Sequence, residues 1–227
     1  MDIPQEPPSI PGFQLAFFYS PLGERSCDYL NFISLPQDRF AIVVGDLIGF
    51  APAPPNWHAE FTSHLDSCLH QEADFAKAME LLNDRLFRKD DSRFMTLIVL
   101  VVSANGQTLQ LVNAGHSEPV VLRAMTSTTE LVGFDEMGLP LAIGTNMDYE
   151  VAQVGLQDGD TVVLYTDGVA EASNREFELF GVESIRREVA AGGDAHAIRD
   201  RIEQAVLDHM DSDDRDDMTL VVLQRTR

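Results

Sequence analysis

Four aspartates stand where apolar runs begin or end. Asp28 precedes "YLNFISL", Asp46 follows "AIVVG", Asp167 follows "TVVLY", and Asp216, with Asp217 beside it, precedes "MTLVVL". Each would be held by the stiff backbone of a strand end. An Asp followed closely by glycine, as in Asp46 with Gly49 and Asp167 with Gly168, is also ordinary turn chemistry, and for any single position both meanings stand. If the four converge, their carboxylates repel and raise one another's pKa unless cations neutralise them. Hard oxygen ligands without His or Cys select Mg2+ or Mn2+ over zinc. Two such ions about 3.5–4 Å apart lower the pKa of a bridging water and clamp phosphoryl oxygens. No protein nucleophile is then required, and the chain offers no G-x-S-x-G elbow, no P-loop and no H-E-x-x-H.

The elements that must position these acids follow from periodicity. "FQLAFFYSP", "DYLNFISLP" and the nearly continuous apolar run "RFAIVVGDL" predict three strands, expected as neighbours in one sheet. After "FAPAPPN" the spacing turns helical. Trp57, Phe61, Leu65, Cys68 and Leu69 mark one helix, and Phe75, Met79, Leu82 and Leu86 a second, with Asp74 near its start. Strands return in "RFMTLIVLVVSA" and "TLQLVNAG", joined by a hairpin turn at Asn105-Gly106. "PVVLRA", "TTELVG", "DYEVAQVGL" and "DTVVLYTDG" continue the β region. Helices follow over residues 182–191 and 195–210, and "MTLVVLQR" is a closing strand. Helices in two pairs and strands in two blocks lack βαβ alternation, so the fold class is α+β. Two stacked, mainly antiparallel sheets flanked by helix pairs, a four-layer αββα sandwich, would bury such strands.

Composition narrows the partners. The net charge of −21, from 37 acidic against 16 basic residues, repels nucleic-acid phosphates and anionic lipid and suits a hard cation or a basic protein surface. No apolar run approaches the roughly 18–20 residues of a membrane helix, so no membrane insertion is expected. Residues 1–12, with four prolines, read as a lead-in or linker rather than a signal peptide, with one domain over 13–227. Two cysteines, Cys27 and Cys68, fit a reducing cytoplasm better than a disulfide framework. Cys27 beside Asp28 is either a reactive thiol or a small packed side chain, with packing preferred.

The order of "GFQLAFFYSPLGERSCDYLNFISL", "FAIVVGDLIG", "LQLVNAGHSEPVVLR", "GLPLAIG", "LYTDGVAEASN" and "DDMTLVVL" resembles the bacterial SpoIIE/RsbU-type phosphatases. These are metal-dependent (PPM, type 2C-like) serine/threonine protein phosphatases. The resemblance runs from about Phe13 onward and implies the αββα sandwich with two Mn2+ or Mg2+ ions at one end. By position it implies that Asp46 bridges both metals and that Leu47 offers a backbone carbonyl to the second. Asp167 and Asp216 match ligands of the first metal. Asp28 matches the acid near the second, often acting through water, and Asp217 a supporting neighbour. Asn113, Gly115 and His116 read as a turn with local hydrogen bonds, with His116 also a candidate orienter or proton carrier. The resemblance further implies a phosphorylated STAS-domain anti-sigma-factor antagonist as substrate in a partner-switching pathway, acted on by a metal-activated water, and a sensor or receiver domain preceding in a longer parent chain.

Two segments depart from the family pattern. Ser26-Cys27-Asp28 stands where the family has Gly-Gly-Asp, and "GDLIGFAPAPPNW" replaces G-D-x-S-G-H-G, with prolines 52, 54 and 55 stiffening the loop. Gly45, Asp46 and Gly49 are kept. By the resemblance, the altered loop bears on regulation more than on ligation, and Ser26-Cys27 bears on the second metal site; together they keep a rival open, a degenerate pseudophosphatase acting as a regulated protein-binding adaptor.

Overall fold

The apolar runs form antiparallel sheets, and the helical segments cover one face of each. The computed structural model describes residues 6–49, 53–89, 91–103, 106–210 and 216–226. They fall into two compact units. One comprises Arg25–His116 and Gly133–Gly155; the other comprises the described parts of Gln5–Glu24, Ser117–Val132 and Leu156–Arg227.

In the first unit β2 (Asp28–Leu35), β3 (Arg39–Ile48), β4 (Phe94–Val102), β5 (Thr108–Ala114) and β8 (Ala152–Gly155) pair in that order, antiparallel throughout. Helices α1 (Trp57–Gln71) and α2 (Phe75–Leu86) pack their apolar stripes on it. Leu65, Leu69, Met79 and Leu82 meet Ala41, Val43, Leu97 and Val99 in one core. Burying each such side chain is worth about 1.5–3 kcal/mol. Ile42, Val44, Ile98 and Leu100, on the opposite face of the same strands, are also fully buried. That explains why "AIVVG" and "LIVLVV" read as continuous rather than alternating apolar runs. Asp74 caps α2, its Oδ1 accepting from Ala76 N at 3.0 Å.

The second unit holds β1 (Phe13–Ser20), β10 (Met218–Arg225), β9 (Thr161–Tyr165), β6 (Val120–Arg123) and β7 (Thr128–Leu131), also antiparallel in that order. Helices α4 (Gly181–Ala190) and α5 (Ala195–His209) place Ile185, Val189, Ile198 and Ile202 against Val163, Leu220 and Val222. Asp194 caps α5 through Ala197 N at 2.8 Å.

The first strand is not a neighbour of the next two. β1 pairs along all eight residues with β10, from Phe13 opposite Arg225 to Ser20 opposite Met218, while β2 pairs only with β3. Both β1 and β10 are long and apolar, so a full-length ladder forms between segments some two hundred residues apart. The stretch between β1 and β2 is a bend rather than a hairpin turn. Of "DYEVAQVGL" only Ala152–Gly155 is strand, because Tyr149 leaves the ladder and packs into the first unit's core. A four-residue helix, α3 (Asp167–Ala170), follows β9, where the sequence suggests a strand end with turn chemistry as one of its two readings. Asn105 of the expected hairpin turn and residues 50–52 of the altered loop lie outside the described residues.

Candidate functional site

Sheet register alone assembles the carboxylates of the first unit. Asp28 on β2 stands directly opposite Asp46 on β3, and Asp46 directly opposite Thr96 on β4. Directly opposed residues share a face with Cβ atoms about 4.5–5.5 Å apart. Three oxygen-bearing side chains therefore form a row across three strands. Asp28 is 2% exposed, and Asp46 and Thr96 are half-buried. Thr96 Oγ1 and His116 Nδ1 share a hydrogen bond of 3.0 Å, which extends the row to a buried imidazole. Asn113 clasps the histidine backbone from both sides: its Nδ2 donates to His116 O at 2.9 Å, and its Oδ1 accepts from His116 N at 2.7 Å. The turn with local hydrogen bonds expected of Asn113, Gly115 and His116 is present, and it delivers His116 to the partner of Asp46.

The departure at Ser26-Cys27 is absorbed locally. Ser26 is buried, and its Oγ accepts from Asp28 N at 3.0 Å; the Cys27 carbonyl accepts from Leu47 N at 3.0 Å. Side chain and backbone together pin the entry of β2 to β3, so Asp28 keeps its register. Leu47 thus spends its N–H on Cys27, and its residue is half-buried at the end of β3. Gly49 follows with φ +128°, a conformation that L side chains rarely adopt, and a Cβ there would sit 3.1 Å from Arg93 Cγ. Its role is to turn the chain after Asp46. The Asp28 carbonyl accepts a hydrogen bond from His58 Nε2 of α1 at 3.1 Å, and His58 stacks on Tyr29.

In the second unit a single close approach does the positioning. Thr166 and Thr219, both fully buried, lock the end of β9 to the start of β10: Thr166 N donates to Thr219 O and Thr219 N to Thr166 Oγ1, each at 3.0 Å. Asp167 then opens α3. A Cβ on Gly168 would collide with the Asp217 carbonyl oxygen and lie 3.4 Å from Asp216 Cβ, so only glycine lets α3 and the start of β10 meet. Asp167 and Asp216 are brought side by side as a result. Burial holds the Asp167 carboxyl above the usual aspartate range, against the lowering effect of its own backbone N–H, and the charge of Asp216 adds to the rise. Asp217 is buried, and its Oδ1 accepts from Leu22 N at 2.7 Å, while its own N–H donates to Asp216 Oδ1 at 2.8 Å. Asp217 supports the strand start and leaves Asp216 exposed.

The structure therefore brings Asp28 to Asp46 in one unit and Asp167 to Asp216 in the other. Among the described residues no three or more His, Cys, Asp or Glu side chains surround a single point, so each unit presents a pair rather than a closed cage. The donor chemistry fits a hard divalent cation. Two carboxylates directly opposed in a sheet repel, and Asp167 is costly to ionise beside Asp216 unless positive charge offsets it. Thr96 and His58 escaped the sequence reading. Neither carries a local signal: Thr96 gains its meaning from standing opposite Asp46 in the ladder, and His58 from reaching the Asp28 carbonyl.

Among the described residues no helix is long and apolar enough to cross a membrane. The chain is 23% identical to protein IcfG of Synechocystis sp. (strain ATCC 27184 / PCC 6803 / Kazusa), over 98% of this chain and 39% of IcfG. It is 24% identical to the phosphoserine phosphatase RsbU of Bacillus subtilis (strain 168), over 90% of this chain and 61% of RsbU. The chain thus spans less than two thirds of the length of either relative. Solved structures share its fold. The RsbU and RsbW domains of a Mycobacterium tuberculosis protein superpose with a TM-score of 0.79 at 23% identity, over 96% of this chain and 61% of that one. The PP2C phosphatase domain of Bacillus subtilis SpoIIE, solved with a fragment of its regulatory domain, gives 0.78 at 21% identity, over 93% and 63%. The catalytic domain of the serine/threonine protein phosphatase PstP, in complex with two manganese ions, gives 0.67 at 14% identity, over 95% and 99%. The family model for Stage II sporulation protein E (SpoIIE) matches residues 36–226, so the α+β chain of two antiparallel sheets with helices, a PP2C-like phosphatase fold, belongs to the SpoIIE family.

Proposed function

We propose that the domain, over residues 13–227, hydrolyses phosphoserine or phosphothreonine on a protein in the cytoplasm, with Mn2+ or Mg2+ held by Asp28, Asp46, the Leu47 carbonyl, Asp167 and Asp216. The observation that carries this reading is the pairing of every matched acid with a second one: Asp28 opposite Asp46 by strand register, and Asp167 against Asp216 across Gly168. When bound, such cations supply charge for the phosphoryl oxygens and acidify water. The chain's own part is to hold the carboxylates still. Thr96 and His116 stiffen the face on which Asp46 lies, Ser26 and Cys27 fix Asp28, and Asp217 ties the approach to Asp216 down to Leu22. The substitutions at Ser26 and Cys27 that favour an adaptor leave Asp28 in register with Asp46, so the enzyme is preferred.

The relatives support a reading of the substrate class. RsbU is named a phosphoserine phosphatase, and the Mycobacterium tuberculosis neighbour carries an RsbU domain together with an RsbW domain. These support a phosphorylated STAS-domain protein as substrate in a partner-switching pathway. The regulatory fragment in the SpoIIE structure supports a sensor or receiver domain joined to this one in a longer parent chain. The test is phosphate release from a phosphoserine protein in Mn2+, with EDTA and with Asp46→Ala and Asp167→Ala as controls. Charge stabilisation by such ions is worth several kcal/mol, so each control should lose about 10²-fold or more. Equal rates in wild type and both variants would sink the enzyme reading.

A further inference from the structure

The second unit contains a cleft of about 370 Å³ lined by Gly168, Glu171, Ala172, Ser173, Phe177, Leu179 and Asp216. Two of these, Gly168 and Asp216, belong to the carboxylate arrangement already described. The others come from the loop that leaves α3 and returns to α4. Phe177 is 86% exposed and Leu179 is 58% exposed, an apolar pair on a strongly acidic chain.

The loop is built to hold that pair in place. Asn174 Oδ1 accepts from Glu176 N and from Glu178 N, both at 3.0 Å, and Asn174 N donates to Glu178 O at 3.1 Å. Phe177 N donates to Asn174 O at 3.0 Å, and Ser173 and Leu179 form a bridge. Phe180 anchors the return: it is buried in the unit's core, its N–H donates to Ala172 O at 2.8 Å, and its ring meets His209 edge-on. Phe177 sits at φ +61°, in the left-handed region that bulky residues avoid. That left-handed residue closes the turn between the bridged Ser173 and Leu179, and the turn keeps the Phe177 ring on the surface. Glu171 lines the same cleft, and Glu176 and Glu178 flank Phe177, all exposed. An occupant must therefore bring an apolar group for Phe177 and Leu179 and positive charge for the glutamates.

We propose that this cleft is a specificity subsite for the substrate segment beside the phosphorylated residue, taking an apolar side chain against Phe177 and Leu179 and an adjacent Lys or Arg against Glu171. The proposal rests on the phosphatase reading, because continuity of the cleft with Asp216 and Gly168 is what ties its occupant to a phosphoserine.

The experiment uses short phosphoserine peptides in Mn2+ with leucine then lysine after the phosphoserine, and versions with the leucine changed to serine or the lysine to glutamate. Phosphate release and fluorescence anisotropy are both measured. The wild type should prefer the leucine peptide by about tenfold, the scale of a filled apolar pocket, expressed in KM rather than kcat. In the doubly substituted Phe177→Ser, Leu179→Ser chain this preference should fall to within about twofold, and Glu171→Gln should remove the preference for lysine. Met125→Ser, which removes another exposed apolar side chain outside the cleft, should leave the preference intact. Peptides hydrolysed without discrimination would overturn the subsite and leave the phosphatase reading standing. Discrimination seen in anisotropy without any phosphate release would keep the subsite and sink the phosphatase reading. A concentration-dependent oligomer that dissociates on Phe177→Ser would assign the apolar pair to a second copy of the chain and overturn the proposal.

Discussion

The two units build their acid pairs by different means. In the first, Asp28 and Asp46 are set by a ladder eight residues long between β2 and β3, backed by β4, so many hydrogen bonds share the work. In the second, Asp167 and Asp216 depend on one point of contact, where Gly168 lets α3 touch the start of β10. A ladder tolerates local change, as Ser26-Cys27 in place of two glycines shows, because side-chain and backbone hydrogen bonds restore the strand entry. A single close approach offers no such spare capacity. The chemistry of the two pairs can be equal while their robustness is not.

The largest expected effect tests that asymmetry. Gly168→Ala drives a methyl group into the Asp217 carbonyl, so the start of β10 must shift; activity should fall by about 10²-fold, the scale of a misplaced catalytic geometry. Gly49→Ala in the first unit meets Arg93 less severely, its Cγ at 3.1 Å and its Cα at 3.3 Å, at an unfavourable φ, and should cost about 1 kcal/mol with Asp28 and Asp46 still paired. Equal losses in the two variants, read by turnover and by thermal melting, would erase the distinction.

A smaller effect is expected from the residues behind the first pair. Thr96→Val keeps the shape of β4 but removes the hydroxyl that holds His116, and should lower activity or apparent Mn2+ affinity by about tenfold. A merely structural threonine would lower the melting temperature instead and leave the metal titration unmoved.

Titration separates the units further. The Asp167 carboxyl is raised by burial and by Asp216, so its contribution to stability is full below the ordinary value of about 3.9 and is lost as pH rises through the folded value. Metal-free protein at neutral pH should therefore gain a few degrees of melting temperature from Asp167→Asn, while losing most of the stabilisation that Mn2+ gives the wild type. No gain in the metal-free melt would show that Asp167 is not under strain.

The smallest effect sits away from the acids. Tyr149 is buried in the first unit, and its hydroxyl has no hydrogen-bond partner among the described residues. Burial raises its pKa, with Asp84 and Glu80 adding to the rise, and burial also pushes Tyr165 of the second unit up to about 12, aided by Glu118. Both tyrosines leave stability intact below the unfolded value of about 10 and withdraw it as pH climbs toward their folded values. Tyr149→Phe should change stability at neutral pH by no more than about 1 kcal/mol, in the stabilising direction, and should soften the loss above pH 10. A marked destabilisation at pH 7 would reveal a hydrogen bond made by the hydroxyl.

Much of this was legible from residues. Period-two and period-3.6 patterns located the helices and nearly all the strands, because each element buries one or both of its faces. The acids were legible because each interrupts an apolar run. Pairing was not. "FQLAFFYS" carries no mark that its partner is "MTLVVLQR" rather than "DYLNFISL", since all three are apolar strands of equal length. Thr96 and His58 were missed for the same reason: a threonine inside a strand and a histidine inside a helix gain meaning only from what lies opposite.

The sequence by itself determined the kind of chemistry, through four carboxylates with no competing nucleophile motif, and the type of each element that carries them. It also marked Gly49 and Gly168, each standing close behind an acid. Tertiary structure decided which acids stand together, that His116 bonds the threonine standing opposite Asp46, and that Asp217 serves the backbone while Asp216 stays exposed. The physical reason is that hydrophobic periodicity is a local property of the chain. Strand register and the close approach at Gly168 join residues far apart along the chain, and they are fixed only when the ladders close.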